Sequence, residues 1–405
     1  MQEVKFKKNI GLVFPFSRLF GGTFQYTLSI TDSLINFSNK FNYTIIHYNT
    51  ENLKFLTSLD SKTVNSILLS CSKTSFIKKL ALFLNLVFNR NIINMKKNEE
   101  TSLLKDSGID ILIIPYPSLF GFRNNTPYIV SIPDLMYKYY PNFPEYPLKE
   151  KLRRNIEYKN AAKHSVFTVV DSRQGVDDLH KFLKIPKKKC RIIPFLPPGY
   201  IYKYKNMDLK VSTKILQKYN LPEKFVFYPA QFWSHKNHAR LLYALELIQQ
   251  KYHITIPLVL VGSPQESYKT IIKLIRKLNL TEQVTHLGYV TDIEIVALYK
   301  KSLALIFPSL IGPTSIPPLE AMVLGTPVVC SNLFSMPEQI GDAGLLFDPF
   351  NIEDIARKIY KIWTNENLRV KLITKGHEIT KDLTPKKYAE KWESVIEEAF
   401  REIKK

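Results

Sequence analysis

Short, almost wholly apolar runs recur along the chain, and longer stretches separate them in which apolar positions return every three or four residues. In the first half the runs fall at residues 9–14, 44–48, 110–114, 128–132, 166–170 and 190–193. In the second half they fall at 225–228, 257–262, 284–287, 304–307, 327–330 and 345–347. The run 44–48 alternates and is β-rich, which predicts a strand; the others, of about 4–6 residues and largely without alternation, predict strands buried on both faces, as in a parallel sheet. The stretches between them predict helices at 23–37, 148–162 and from 174 onward, with Ser172 placed to cap the third. After the midpoint, helices are expected at 237–252, 268–278, 292–299 and from 317, and three more close the chain. Strands alternating with helices in this way specify an α/β architecture with doubly wound sheets.

The rhythm is interrupted twice. Residues 51–107 are polar, lysine-rich and irregular around one apolar segment. Residues 194–208, with Pro197-Pro198-Gly199, read as a linker. The expected domains are therefore 1–200 and 201–384, two Rossmann-like units facing across a cleft. In such sheets ligands bind beyond the carboxyl ends of the strands, so the strand-to-helix loops are where chemistry is sought.

Composition narrows the class. Of 405 residues, 45% are hydrophobic and 23% charged, which is the balance of a globular protein. Lys and Arg number 57 against 36 Asp and Glu, a net charge of +21 that suits an acidic substrate or an anionic surface. The basic residues are dispersed and no reader motif accompanies them, so nucleic acid is not an expected partner. Cys71, Cys190 and Cys330 lie far apart, which excludes a disulfide framework and fits a reducing compartment. The basic start of the chain is not followed by a long apolar stretch, so no signal peptide is expected. No run approaches the roughly 18 apolar residues of a spanning helix. Residues 76–90 form a basic, apolar segment suited either to the surface of an anionic leaflet or to an ordinary buried helix with a charged edge.

Three loops carry candidate chemistry. Residues 15–23 include Arg18, Gly21 and Gly22 ahead of a helix, where free amides attract anions, although the dinucleotide-binding glycine spacing is absent. Residues 229–238 place Lys236 at the start of a helix, an unfavourable end for a cation unless an anion shares the site. His235 and His238 lie three apart in this loop, but no third ligand accompanies them and no metal is expected. Residues 308–322 run from a strand through a polar turn into a helix that begins with Pro317 and Pro318, where missing N–H groups cost little. The amides of Thr314, Ser315 and Ile316 are candidates for a diphosphate. Glu320 is either a partner for a ribose diol or a carboxylate complementing the helix dipole.

These residues resemble a known group. Phe232-Trp233-Ser234-His235-Lys236-Asn237-His238, then Pro317-Pro318-Leu319-Glu320-Ala321-Met322 and Gly325-Thr326-Pro327-Val328-Val329, are similar to glycosyltransferase family 4. That family comprises retaining, nucleotide-sugar-dependent enzymes of the GT-B fold. The Phe-Trp before His-Lys-Asn-His looks most like mannosyltransferase-type members of bacterial polysaccharide and lipopolysaccharide assembly. The resemblance implies a final helix, 385–405, packing back on the first domain through Trp392 and Phe400. It implies that Lys236 contacts the donor diphosphate, that Glu320, as the second glutamate of an E-x7-E pattern, holds the ribose, and that Gly22 lies near donor phosphate and acceptor. Three positions depart from the pattern. The first glutamate falls at Gly312, an arginine at Gln231, and the histidine of a His-Asp pair at Pro133, leaving Asp134. The expected catalytic set is thus Lys236, Gly22 and Asp134. The donor set is Gln231, Lys236, Gly312, Thr314, Ser315, Ile316 and Glu320, and the acceptor-side set is Arg18, Gly21, Gly22, Arg123 and Arg173. The implied reaction transfers a hexosyl group from a GDP- or UDP-linked sugar to a glycan or lipid-linked glycan. It needs neither metal nor cofactor and takes place in the cytoplasm or at the inner membrane face. A non-catalytic nucleotide-sugar-binding protein and a nucleotide-sugar 2-epimerase are the alternatives, and the oligomeric state is left open.

Overall fold

A computed structural model describes residues 7–14, 22–48, 65–69, 99–312 and 314–405. Arg18, Gly21, Cys71 and the segment 76–90 lie outside the described residues. The chain forms two compact units: 1–138 with 148–194 and 384–405, and 195–383 with 139–147. This division differs from 1–200 and 201–384 chiefly in the segment 139–147, which belongs with the second unit although its flanks belong to the first.

Among the described residues the first unit is built on seven parallel strands: β1 (Asn9–Val13), β2 (Asn42–His47), β3 (Asn65–Leu68), β4 (Ile111–Ile114), β5 (Tyr128–Ser131), β6 (Phe167–Val170) and β7 (Cys190–Ile192), in the order β3-β2-β1-β4-β5-β6-β7. The apolar runs become its central strands. Ile111, Leu112, Ile113 and Ile114 are all buried, each contributing roughly 1.5–3 kcal/mol of transfer free energy. Gly11 lets the neighbouring strands' side chains close over β1, because a Cβ there would lie 2.7 Å from Leu112 Cδ2. Ser172 caps the helix Arg173–Leu183 by accepting the Gly175 N–H. The last helix, Pro385–Ile403, packs on the helix Gly22–Phe37, with Trp392 fully buried and Phe400 beside Phe41 at 6.1 Å between ring centres. Ion pairs of Lys40 with Glu397 (2.9 Å) and Arg191 with Glu398 (2.7 Å) flank the helix Pro385–Ile403.

The second unit repeats the plan with six parallel strands: β8 (Val226–Pro229), β9 (Leu258–Val261), β10 (Val284–His286), β11 (Ala304–Phe307), β12 (Val328–Ser331) and β13 (Gly344–Phe347), in the order β10-β9-β8-β11-β12-β13. β8 and β11 are neighbours in space but not in sequence, so the direction of winding reverses between them.

Two expectations need correction. Residues 65–68, read as part of an irregular stretch, form the edge strand β3. Its Asn and Ser and its half-exposed positions hide it from an apolar-run criterion. The linker 194–208 contains a helix, Gly199–Tyr204, because Ile201 and its flanking tyrosines find an apolar seat against Val296 and Val323.

Candidate active site at the strand ends of the second unit

At the point where winding reverses, two adjacent strands send their loops to opposite sides and leave a crevice at their carboxyl ends. In the second unit those loops are 230–237, after β8, and 308–315, after β11. They are the two loops singled out from sequence, and the structure joins them. The Leu310 N–H donates to the His235 carbonyl at 2.8 Å. Asn237 is buried, and its side-chain amide donates to the carbonyls of Pro308 (3.1 Å) and Pro349 (2.9 Å). It thereby ties together the chain after β8, β11 and β13. Asn237 adopts the left-handed conformation (φ 60°), which asparagine tolerates better than most residues, and so turns the chain into the helix His238–Tyr252.

Lys236 ends a single turn, Ser234–Lys236. Its carbonyl accepts from the buried Tyr228 hydroxyl at 2.8 Å, and its ammonium lies 5.6 Å from the centre of the Phe307 ring, the last residue of β11. The backbone of the turn is therefore anchored while the cation sits over the crevice strands. Gln231 is engaged on both sides of its amide, donating to Ser263 Oγ (2.9 Å) and accepting from Trp233 Nε1 (2.9 Å). His238 points into the core and stacks on Phe232 at 4.5 Å. Burial first, and then Lys236, push its pKa down to about 3, so it is neutral at physiological pH. His235 turns the other way. Its Nδ1 lies 2.7 Å from Glu145 Oε1, and its backbone N–H donates to the same oxygen at 3.2 Å. Burial raises the Glu145 pKa, but the bonds from the His235 ring and from backbone amides outweigh it and hold the carboxyl below its usual range.

On the facing loop, Gly312 has φ +118°, and a Cβ there would meet Ser315 Oγ and the Thr314 carbonyl at 3.1 Å. The backbone suits glycine and strains any other residue, which accounts physically for the absence of a glutamate. The helix Ile316–Leu324 begins with its two prolines and ends at Gly325 in the left-handed conformation. Gln339 pairs with Ser315 on both sides of its own amide, accepting the Ser315 N–H (2.8 Å) and donating to the Ser315 carbonyl (2.6 Å). The Ser315 amide is thus already bonded, while Thr314 and Ile316 flank it, half-buried.

Glu320 is 5% exposed. Tyr299 donates to one carboxylate oxygen at 2.6 Å and Tyr200 to the other at 3.1 Å. Burial pushes its pKa up to about 7, against the pull of the two tyrosines. Each oxygen keeps a further lone pair, so the group can accept additional hydroxyls.

Gln231, Lys236, Gly312, Thr314, Ser315, Ile316 and Glu320 thus gather around the ends of β8 and β11. Of the remaining predicted residues, the described ones, Gly22, Arg123, Asp134 and Arg173, belong to the first unit and follow β1, β4, β5 and β6. Gly22 opens the helix after β1. It is exposed, and a Cβ added there would have no neighbour within 4 Å. Asp134 follows β5 and accepts the Met136 N–H at 3.0 Å. Arg123 ends the short helix Phe120–Arg123, where its charge offsets part of the burial that raises Glu157. Arg173 is the exposed first residue of the helix after β6. Tyr200, Tyr299, Gln339 and Glu145 carry no local sequence signal that marks them as parts of this site, whereas Asn237 lies within the motif that begins at Phe232. Among the described residues no group of three or more His, Cys, Asp or Glu is placed to hold a metal ion.

Residues 211–379, which span both loops, match the family described as glycosyl transferases group 1. The chain is 34% identical over 151 residues to the serotype-specific mannosyltransferase WbdA of Escherichia coli, covering 37% of this chain and 18% of that protein. It is 33% identical over 156 residues to the O-antigen chain mannosyltransferase B of Escherichia coli, covering 38% of this chain and 41% of that one. The matches therefore span less than half the length of these relatives. Anabaena Alr3699/HepE, solved in complex with UDP and glucose, superposes with a TM-score of 0.74 at 16% identity, covering 96% of this chain and 100% of that chain. The chain has the GT-B fold. Within this GT-B chain the group 1 match falls wholly in the second unit and includes both Lys236 and Glu320.

Proposed function

We propose that the protein is a glycosyltransferase that moves a hexosyl group, of mannosyl type, from a GDP- or UDP-linked sugar to a hydroxyl of a glycan or lipid-linked glycan. The observation that carries this reading is the meeting of the Lys236 turn with the 308–315 loop at the ends of β8 and β11, with Glu320 on the following helix. The group 1 match and the mannosyltransferase relatives support it. Departure of a nucleoside diphosphate builds negative charge on the β-phosphate, and Lys236 with the amides on either side of Ser315, those of Thr314 and Ile316, would stabilise that charge. The ribose diol would add its hydroxyls to Glu320. The transfer retains anomeric configuration: the acceptor attacks from the leaving-group face and gives its proton to the departing phosphate oxygen, with no metal required. The acceptor would meet the first unit near Gly22 and Asp134, with Arg123 and Arg173 as anion partners.

A lipid-linked acceptor also accounts for the net charge of +21, which would hold the protein at the inner face of an anionic membrane. No helix among the described residues is long and apolar enough to cross one. The test is incubation of each donor with a lipid-linked sugar acceptor in EDTA, followed by determination of the product anomer. A product of inverted configuration, or turnover only with added divalent cation, contradicts the mechanism. Binding of donor without transfer to any acceptor would favour a non-catalytic nucleotide-sugar-binding protein, and an epimer formed from donor alone a 2-epimerase.

A further inference from the structure

Segment 139–147 packs with the second unit while both its flanks belong to the first. Its seat is aromatic and polar in turn. Tyr139 and Tyr140 pack edge-on to Phe334 at 5.1 and 6.1 Å, and Tyr140 also packs on Phe143 at 5.1 Å. Phe334 itself is held at φ +52°, a costly conformation for a bulky residue, so the packing around it is strong enough to impose it. The Tyr146 N–H donates to the Phe143 carbonyl at 2.9 Å, and the Tyr146 side chain is buried. Glu145 is fixed between these anchors, with its side chain 9% exposed.

The contacts of Glu145 converge on one turn. A single oxygen, Oε1, takes both the His235 ring nitrogen and the His235 backbone N–H. His235 is the residue before Lys236, and its carbonyl receives the Leu310 N–H from the facing loop. Oε2 is buried with no hydrogen-bond partner, so the carboxylate is held with one oxygen unsatisfied, a cost that the His235 contacts must offset. A group placed at such cost usually fixes something whose position matters.

We propose that Glu145 is a positioning residue for Lys236, holding the 234–236 turn and, through Leu310, the facing loop in the geometry that receives a diphosphate. This rests on the donor-site reading above. It predicts that Glu145 acts on the nucleoside diphosphate moiety rather than on the sugar, and acts through Lys236.

The test uses the full chain and calorimetric titration with GDP and GDP-mannose, and with UDP and UDP-glucose. Glu145→Ala should weaken the bare nucleoside diphosphate and its sugar conjugate alike, by about tenfold to a hundredfold, as expected for the loss of a charge-assisted contact. Glu145→Gln, whose carbonyl oxygen still accepts from His235, should recover most of the affinity. In a Lys236→Ala background, Glu145→Ala should cost clearly less, because the principal residue it positions is gone and only the facing loop is left to shift. Where the alanine variant does not fold, as judged by its melting transition, Glu145→Met, of similar volume but without the acceptor for His235, carries the same cycle. Loss confined to the sugar conjugates would overturn the proposal and make Glu145 a sugar contact. Equal losses with and without Lys236 would overturn it too, as would unchanged affinity. Wild-type protein that binds none of the four ligands would instead overturn the donor-site reading itself.

Discussion

Glu320→Gln should make the protein more stable and less able to bind its donor. The wild-type carboxyl sits at a pKa of about 7 against an ordinary value of 4.5, chiefly because it is buried. The fold therefore favours its neutral form. That contribution is fully present below the unfolded pKa and is lost as pH rises from about 4.5 through 7. Above that window the ionised group costs on the order of 3 kcal/mol. Glutamine never ionises. Its carbonyl can still accept from Tyr299, and its amide can donate to the Tyr200 oxygen, so the two tyrosine contacts survive. The variant should match wild type near pH 4.5 and exceed it by up to about 3 kcal/mol at pH 8. Urea unfolding followed by circular dichroism at several pH values, with separate transitions allowed for the two units, reads this directly. A difference that does not change between pH 5 and 8, or a variant less stable at pH 8, refutes the burial argument. If the stabilised variant also binds nucleotide sugar as tightly as wild type, Glu320 is a structural carboxylate and not a ribose partner.

Three further outcomes follow from named contacts. Asn237→Ala strands the Pro308 and Pro349 carbonyls and puts alanine in the left-handed region. It should destabilise the second unit by about 3–5 kcal/mol, with Asn237→Gly recovering roughly 1 kcal/mol of this, both read from urea midpoints. Gly312→Glu restores the acid seen in the family pattern but at φ +118°, so melting should show a loss of about 1–3 kcal/mol and titration no gain in donor affinity. Trp392→Ala empties the seat of the last helix. It should destabilise the first unit by about 3–5 kcal/mol while leaving nucleotide affinity within twofold, measured by unfolding and titration together.

What could be read from the chain was what apolar runs and turn chemistry encode. Ile111–Ile114 and Ala304–Phe307 are recognisable as buried strands from composition alone, and the Ser172 cap from its position before a helix. Edge strand β3 has no such signal, because a half-exposed edge needs no apolar run. The loops after β8 and β11 were legible because strand-to-helix junctions are where ligands bind, and because Lys236 is electrostatically out of place at a helix start. Their partners were not legible. Tyr200 reaches Glu320 across 120 residues of sequence, and Glu145 reaches His235 across 90, and neither tyrosine nor glutamate carries a local pattern that marks it as a partner. By sequence the Ser315 amide is open for a ligand, because nothing nearby in the chain competes for it. Gln339, 24 residues on, does so in the fold.

The central claim is that the ends of β8 and β11 bind a nucleoside diphosphate sugar through Lys236. Calorimetric titration of wild type and Lys236→Ala with GDP-mannose and UDP-glucose, in EDTA, tests it most directly. The account predicts that wild type binds at least one of them and that the variant binds it at least about tenfold more weakly, the loss expected of a charge-assisted phosphate contact. Binding that requires divalent cation, or a variant that binds as tightly as wild type, would contradict it.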